Sequence, residues 1–264
     1  MLILCTGCAS PKTISAEHRS EVCNDAVRIE FISTWNQSIE AMRQLELEGV
    51  AQLEWTDEDG SHREQGDMQA WIDGDLRVSL RLTKFGDVVV WIGQDQRVAW
   101  MFDLLSDPTR LTIVSPKRST LAGGLPLDPS VLRLLLGFEP LPDDAEVMFL
   151  STGKRVTGNI GAAQFSMDVD DDGRPLLIKV AYGDRQVEAR HRWTAGSVMP
   201  EPVGVARRCS RVVDLHHGEA SMLKIQLSTI LLLTNSQLEE QSVVFDALGR
   251  IRSHLGPAVV EDRR

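Results

Sequence analysis

The run of residues that most resembles a chemical site in this sequence is acidic, DVDDDG at residues 168–173. It imitates the start of an EF-hand calcium loop, in which carboxylates alternate along the chain and a glycine makes the sharp turn. The twelfth position of such a loop is a bidentate Glu, but here it is Lys179, and Pro175 follows the glycine closely. The stretch is therefore predicted to be a solvated hairpin turn and not a metal site.

The other polar residues form no recognisable catalytic or metal motif. His216 and His217 are adjacent, and adjacent residues of a strand point to opposite faces of a sheet, so they are poorly placed to share one ion. The sequence has no His-Glu-x-x-His motif, no paired-cysteine spacing and no Gly-x-Ser-x-Gly elbow. We therefore predict no metal, no cofactor and no catalytic residue, and we expect the protein not to be an enzyme.

The N-terminus carries a motif with a specific chemistry. The apolar run Met1–Leu4 is followed by CTGC at residues 5–8, which resembles the end of a bacterial lipoprotein signal peptide. Residues 1–8 are accordingly predicted to be a signal remnant in which Cys8 receives the lipid, with a chance Thr-Gly-Cys as the alternative. The basic and long apolar parts of a signal peptide are missing, so we expect the true translation start to lie upstream.

The residue after Cys8 predicts where the anchored protein is sorted. An Asp at that position would retain a lipoprotein at the inner membrane, but the residue is Ala9. We therefore expect the protein in the cell envelope, lipid-anchored at the periplasmic face of the outer membrane.

Two cysteines remain if Cys5 leaves with the signal peptide and Cys8 is acylated. These are Cys23 and Cys209. Exported compartments permit disulfides, so a Cys23–Cys209 bridge would tie the N-terminal tether to the domain. Two separate thiols are the equally weighted alternative.

The bulk composition limits the partners. The chain of 264 residues has a formal net charge of −10 and no long Lys/Arg run, so it would repel phosphate backbones, and no nucleic acid is expected as a partner. Hydrophobic residues make up 42% of the chain, which is enough for a sizeable core. Beyond the N-terminus no apolar run exceeds five residues, as in Val88–Ile92, whereas a spanning helix needs about 20 apolar residues. The membrane is therefore expected to be reached through the lipid anchor.

The spacing of apolar residues predicts the elements of the first half of the chain. From 31 to 47 they recur every three or four positions, which predicts a helix that ends before Gly49, with Ser33 or Thr34 as its N-cap. From 50 to 114 the period changes to two and tight turns separate the runs, which predicts an antiparallel meander. The helical stripe consists of Ile32, Trp35, Ile39 and Met42.

The second half of the chain begins with a short, strongly apolar helix over 129–136. Asp128 is its predicted N-cap, Pro129 its first residue and Gly137 its stop. A second short helix follows the later strands, with Asp246 as its cap. Strands are predicted near 145–150, 162–169, 175–181, 185–193, 209–215 and 221–233. The predicted domain organisation is a polar tether over 9–30, one domain over 31–260 and a charged tail over 261–264.

This order of elements resembles the LolA/LolB-like lipoprotein carrier superfamily and is closest to LolB-type outer-membrane lipoproteins. The local match runs from GLPL at 124–127, through Leu132, Leu135 and Leu136-Gly137, to PLP at 140–142. Leu76–Val90 and VMP at 198–200 match more loosely. The resemblance covers about residues 33–260. It implies a mainly β fold, in which a single curved antiparallel sheet forms a half-open β-barrel capped by short helices, with an apolar cavity that receives acyl chains.

The resemblance also implies which side chains line that cavity. Helix 129–136 is too apolar to lie free on a surface, and its Gly- and Pro-containing flanks would let it hinge as a lid. Ordinary packing in a core is the alternative for each lining residue. The predicted lining consists of Leu80, Leu82, Val90, Trp100, Phe102, Leu132 and Leu135, with Trp100 and Phe102 beneath the helix.

Three functions therefore stay open from the sequence. The first is an exported lipoprotein that binds acyl chains or lipoproteins in the cavity and takes part in lipid transport to the outer membrane. The second is a non-transporting interaction or sensor lipoprotein that binds protein or peptide. The third and weaker alternative is a hydrolase with an unrecognised site. Bound lipid would favour the first, whereas a filled core would favour the second.

Overall fold

A computed structural model of the chain describes residues 21–74, 77–105, 107–115, 129–182, 185–193, 206–217, 221–240 and 247–263. Some predicted features lie outside these ranges. They are the lipidation residue Cys8, the segment 124–127, the caps Asp128 and Asp246, and the segment 198–200.

The described helices are few and short. They are α1 (Asp25–Ala41), α2 (Pro129–Leu135), α3 (Asn235–Glu240) and α4 (Ala247–Arg250), the last continued by a π-helical turn over Ile251–Leu255. None of them combines the length and the apolar character needed to span a bilayer.

The strands account for most of the described chain. They are β1 (Glu21–Val22), β2 (Gln44–Asp57), β3 (Gly60–Asp73), β4 (Arg77–Lys84), β5 (Asp87–Gln94), β6 (Ala99–Asp103), β7 (Arg110–Val114), β8 (Glu146–Leu150), β9 (Gly153–Ile160), β10 (Ala163–Val169), β11 (Pro175–Tyr182), β12 (Arg185–Trp193), β13 (Ala206–His217), β14 (Ser221–Leu232) and β15 (Val259–Arg263). They form one sheet in the order β1-β8-β9-β10-β11-β12-β13-β14-β2-β3-β4-β5-β6-β7-β15.

The sheet is curved and stays open at both ends of this order. Neighbouring strands are antiparallel everywhere except at β15, which runs parallel to β7. The predicted fold class, a mainly β curved sheet with few helices, is confirmed. Because β15 runs parallel to β7, the sheet as a whole contains both antiparallel and parallel pairs.

The C-terminal residues differ from the predicted charged tail. After Gly256, which has φ 55°, the chain turns back along β7 and Val259 N donates to the carbonyl of Thr109 at 3.0 Å. Glu261 then lies 3.7 Å from Arg110, so its charge supports the strand pairing instead of extending into solvent. The charged residues 261–263 are therefore part of β15.

Helix α1 begins before the predicted start at residue 31 because Asn24 caps it. The side-chain oxygen of Asn24 accepts a hydrogen bond from Val27 N at 3.0 Å, as a good N-cap does. The predicted caps Ser33 and Thr34 consequently lie inside the helix.

The same helix also ends earlier than predicted, since β2 begins at Gln44. Gly49 therefore lies within a strand and does not end a helix. A Cβ at this position would be 2.2 Å from the carbonyl oxygen of Gln226, so the glycine allows β14 to approach closely.

Separate apolar clusters cover the two faces of the sheet. We call the face against which α1 and α2 pack the inner face; it carries the larger cluster, including Leu80, Leu82 and Val90. We call the opposite face, which α4 covers, the outer face; its cluster includes Trp100 and Ile251.

Candidate functional site

The inner face brings together five of the seven residues predicted to line a cavity. Alternation along β4 and β5 sends every second side chain to this face, where Leu80 lies opposite Ile92 and Leu82 opposite Val90. Helix α2 packs on the inner face against β4, β5 and β11. The five residues that meet in this cluster are Leu80, Leu82, Val90, Leu132 and Leu135.

These five side chains are covered by the protein itself. None of them is more than 5% exposed, and Leu80, Val90 and Leu135 are completely buried. Helix α2 therefore fills the space of the predicted cavity. In this arrangement the inner face is packed as a core.

Trp100 and Phe102 do not lie beneath α2 as predicted. Their strand β6 pairs with β5 so that Phe102 is opposite Trp91 and Met101 is opposite Ile92. Since Ile92 belongs to the inner face, Met101 does too, and the two aromatic residues point to the outer face. They pack there under the C-terminal segment.

Arg133, the one charged residue in the apolar stretch 131–136, ties α2 to two neighbouring segments. It is 5% exposed, and it donates from Nη1 to the carbonyl of Gly74 at 2.6 Å and from Nη2 to the carbonyl of Phe138 at 3.2 Å. Its Nε lies 3.2 Å from a carboxylate oxygen of Glu139. The helix is thereby fastened to the β3–β4 turn.

Arg211 also holds the C-terminal end of α2 in place. This residue of β13 is completely buried and donates from Nη2 to the carbonyl of Leu136, in the turn that ends the helix. Its guanidinium lies 4.8 Å from the ring centre of Trp193 and 5.2 Å from that of Phe138. Such stacking suits the weakly hydrated guanidinium group.

His191 is a second buried polar residue beside Arg211. It lies opposite Val213 in the β12–β13 pair, and Arg211 is two residues away on the same face. Both ring nitrogens lack a hydrogen-bond partner of ordinary geometry. Burial, and then the positive charge of Arg211, hold the pKa of His191 well below its ordinary value, although the Leu135 backbone opposes this shift. The imidazole is therefore neutral near pH 7.

A cleft of about 560 Å³ lies beside this buried group. One wall is formed by α1, which contributes Phe31, Trp35, Ile39 and Met42, and the other by the β10–β11 turn. We call it the α1 cleft. Its volume falls within the range of roughly 300–1,000 Å³ that is typical of small-molecule sites.

The floor of the α1 cleft reaches the end of α2. Gly137, Trp193 and Arg211 line it. Gly137 has φ 73°, and a Cβ there would lie 2.9 Å from the ring of Pro175, so the helix ends in tight contact with β11. The cleft is thus adjacent to both the apolar inner face and the fastening of α2.

Sequence reasoning did not find the α1 cleft. The apolar stripe of α1 was recognised, but its partners come from distant parts of the chain. No local spacing signals that Lys154, Trp193 and Arg211 would meet it. The helical stripe with two aromatic residues, Phe31 and Trp35, was the one usable signal.

The acidic stretch 168–173 is a hairpin turn, as predicted. It joins β10 to β11, and the carboxylate of Asp170 accepts hydrogen bonds from the backbone N–H groups of Asp172 and Arg174 at 3.0 and 2.8 Å. Arg174 also pairs with that carboxylate through its side chain. Across the described ranges, no group of three His, Cys, Asp or Glu residues is placed to hold a metal ion.

The predicted disulfide stays a prediction. Cys23 is buried just before α1, and the side chain of Cys209 lies outside what the structure describes. Thiol labelling with a maleimide in denaturant, with and without reductant, would decide between a bridge and two thiols.

Comparisons with known sequences identify no relative. No protein-family model matches the chain. No curated protein matches it either.

Solved structures match the chain in fold. A putative outer membrane lipoprotein-sorting protein domain from Vibrio parahaemolyticus aligns with a TM-score of 0.51 and 9% identity, over 84% of this chain and 99% of that one. A LolA superfamily protein from Nitrosomonas europaea aligns with a TM-score of 0.45 and 10% identity, over 78% and 96%. A DUF1329 family protein from Desulfovibrio piger gives 0.47 and 11%, over 82% and 98%.

At such low identities only the fold carries over, and of these three structures the Vibrio domain is similar enough to carry it. The chain has the curved-sheet fold of that domain. The curved-sheet fold that the resemblance to LolA/LolB-like carriers implies is therefore confirmed.

Proposed function

We propose that this protein binds the acyl chain of a lipid or lipoprotein between its sheet and α2, and that α2 moves outward to admit the chain. The observation that carries the proposal is the chemistry of α2 and of the short turn after it. Arg133 is the one charged residue between 131 and 136. The others are apolar and buried against an apolar face of a single sheet.

An acyl chain can replace α2 at about equal free energy. Five apolar side chains lie between residues 131 and 136, and burying that number contributes roughly 8–15 kcal/mol. A chain with about fourteen methylenes would contribute roughly 11 kcal/mol on the same surface. Exchange between the two occupants of the inner face would therefore be reversible.

The flanks of α2 would allow this movement. Gly137 ends the helix in the left-handed region, and Pro140 and Pro142 interrupt the chain shortly after it. Hydrogen bonds from Arg133 and Arg211 hold the helix in place, and such bonds can be exchanged for water.

Transfer to a membrane forms the second part of the proposal. Phe85 lies at the tip of the β4–β5 hairpin, has φ 55° and is 97% exposed. An aromatic side chain presented in this way would enter the head-group region of a membrane. A lipid on Cys8 would hold the protein at the periplasmic face of the outer membrane.

The solved neighbours support the carrier interpretation. The Vibrio protein is described as a putative outer membrane lipoprotein-sorting domain. A carrier of this kind works by binding and release and needs no catalytic residue.

A non-transporting interaction protein is the second candidate, and the packed inner face favours it. Since α2 fills that face completely, no lipid is needed to complete the fold. Such a protein would bind a peptide or protein partner through its surface.

Native mass spectrometry of the gently purified protein, followed by uptake of a fluorescent fatty acid, tests the proposal. Leu135→Asp would place a charge on the side of α2 that would cover the bound acyl chain, and we expect it to weaken binding of the probe at equilibrium at least about tenfold. Val260→Asp is the matched control, because Val260 is 48% exposed on β15 and touches no part of the inner face.

Two results would contradict the carrier proposal. A wild-type protein that carries no lipid and takes up no probe would favour the interaction protein. Equal uptake by wild type and a folded Leu135→Asp variant would show that the probe binds elsewhere.

The lipid anchor has its own test. Metabolic labelling with a palmitate analogue should mark the full-length precursor and should not mark Cys8→Ser. Equal labelling of both proteins would end this part of the proposal.

A further inference from the structure

The α1 cleft has two chemically different walls. Helix α1 contributes an apolar wall, in which Trp35, Ile39 and Met42 are buried toward the core. The opposite wall contains Lys154 and the polar β10–β11 turn. A ligand that fits both walls has an apolar length and a polar end.

Near α1, the polar wall carries the positive charge of Lys154, which is not paired with a carboxylate among the described residues. Arg174 is paired with Asp170 at 2.8 Å and with Asp172 at 2.9 Å, so one guanidinium group is shared by two carboxylates, and Asp171 is exposed at the rim, which leaves the turn itself acidic. Lys154 has no carboxylate within ion-pair distance in the part of the chain that is described. Its ammonium group lies 5.5 Å from the ring centre of Phe31.

The floor of the cleft adds a second cation, the buried side chain of Arg211. Arg211 presents a guanidinium group, whose planar fork of N–H donors matches the oxygens of a carboxylate or phosphate. His191 lies next to Arg211 on the same face, outside the lining of the cleft, and is 5% exposed and hydrogen-bonded to the Leu135 backbone.

We propose that the α1 cleft holds the acidic head group of a single-chain lipid, a carboxylate or a phosphate, between Lys154 and Arg211. The acyl chain runs from there along Trp35, Ile39 and Met42 toward the inner face. This inference rests on the proposed acyl-chain binding and adds a preference for an acidic head group.

The test measures binding of four compounds to the full chain by isothermal titration calorimetry. Palmitate and hexadecyl phosphate carry both chain and acid, hexadecanol carries the chain alone, and inorganic phosphate carries the acid alone. We expect the two acidic lipids to bind at least about tenfold more tightly than hexadecanol, because charge-assisted hydrogen bonds are the stronger kind. Inorganic phosphate should show no binding at the same concentrations.

Two variants then locate the head group. Lys154→Gln should reduce the preference for palmitate over hexadecanol by about fivefold, since one of two cations is removed. Lys224→Gln removes the same charge from β14 outside the cleft and should leave the preference unchanged. Both changes are at partly exposed positions, so neither is expected to prevent folding.

Each of the following outcomes would contradict one part of the proposal. Equal binding of palmitate and hexadecanol would overturn the head-group preference and leave the acyl-chain proposal standing. An unchanged preference in Lys154→Gln would show that the acid binds outside the α1 cleft. Binding of inorganic phosphate as tight as that of the lipids would make the cleft an anion site. Binding of none of the four would overturn the proposed function together with this inference.

Discussion

The inner and outer faces of the sheet are equally dry, but the segments that cover them are held in different ways. On the inner face α2 is fastened by side-chain hydrogen bonds from Arg133 and Arg211. On the outer face the chain that carries α4 continues into β15, which forms a backbone ladder with β7 over five residue pairs. The backbone hydrogen bonds of a strand pair break together when the strand detaches. A few side-chain hydrogen bonds can instead be exchanged for water one at a time.

The two faces also differ in the polar groups that they bury. The outer face carries Arg81 between the rings of Trp71 and Trp91, at 5.3 and 5.7 Å from their centres. Burial, and then repulsion by Arg250 of the C-terminal segment, lower the pKa of Arg81. The inner face instead buries Arg211 and His191 next to a cleft. The outer cover therefore completes the fold, whereas the inner cover lies next to the α1 cleft, the proposed ligand site.

The largest expected effect is a loss of stability that leaves fatty-acid binding unchanged. Phe102→Ala removes a fully buried ring from the outer face and should lower the free energy of unfolding by about 3–5 kcal/mol. Uptake of a fluorescent fatty acid, measured where the variant is still folded, should equal that of the wild type. A loss of uptake by the folded variant would break the distinction between the two faces.

The sequence predicts the apolar alternation of the strands but not which residues share a face of the sheet. Alternation shows that Leu80 and Leu82 point one way and that Trp100 and Phe102 point together, but it cannot align one strand with the next. The pairing of Phe102 with Trp91 decides the question, and it depends on the loop between β5 and β6. Fold class and α2 were predictable because their signals are local.

The candidate cleft was not predictable for the same reason. Its parts come from α1, from the end of α2, and from β9, β11, β12 and β13. Arg211 is one of many arginines in the sequence, and its burial follows from the sheet order alone. Local patterns therefore predict elements, whereas the site arises from how distant elements meet.

A smaller effect is expected from loosening the inner cover. Arg133→Gln removes the ion pair with Glu139 and weakens the bond to the Gly74 carbonyl, so the free energy of unfolding should fall by about 1–3 kcal/mol. The rate of fatty-acid uptake, followed by stopped-flow fluorescence, should rise because α2 opens more easily.

Glu139→Gln is the matched control for this change. Glu139 is more exposed than Arg133, at 20% against 7% of the side chain, so its loss should cost less stability and raise the uptake rate less. If both variants take up the probe no faster than wild type, then α2 does not limit access to the inner face.

The smallest expected effect is a pH dependence that belongs to the inner face. The folded protein holds the pKa of His191 well below 6.5, whereas the unfolded chain restores the ordinary value. Below about pH 6.5 the unfolded state therefore binds a proton that the folded state excludes. Stability from this residue is complete above that pH and falls by about 1.4 kcal/mol per unit as the pH drops toward the folded pKa. Denaturant unfolding at pH 7.5, 6.0 and 5.0 should show a shallower decline in His191→Gln than in wild type, because other titrating groups act equally in both. Parallel declines would mean that His191 takes up its proton without unfolding the inner face.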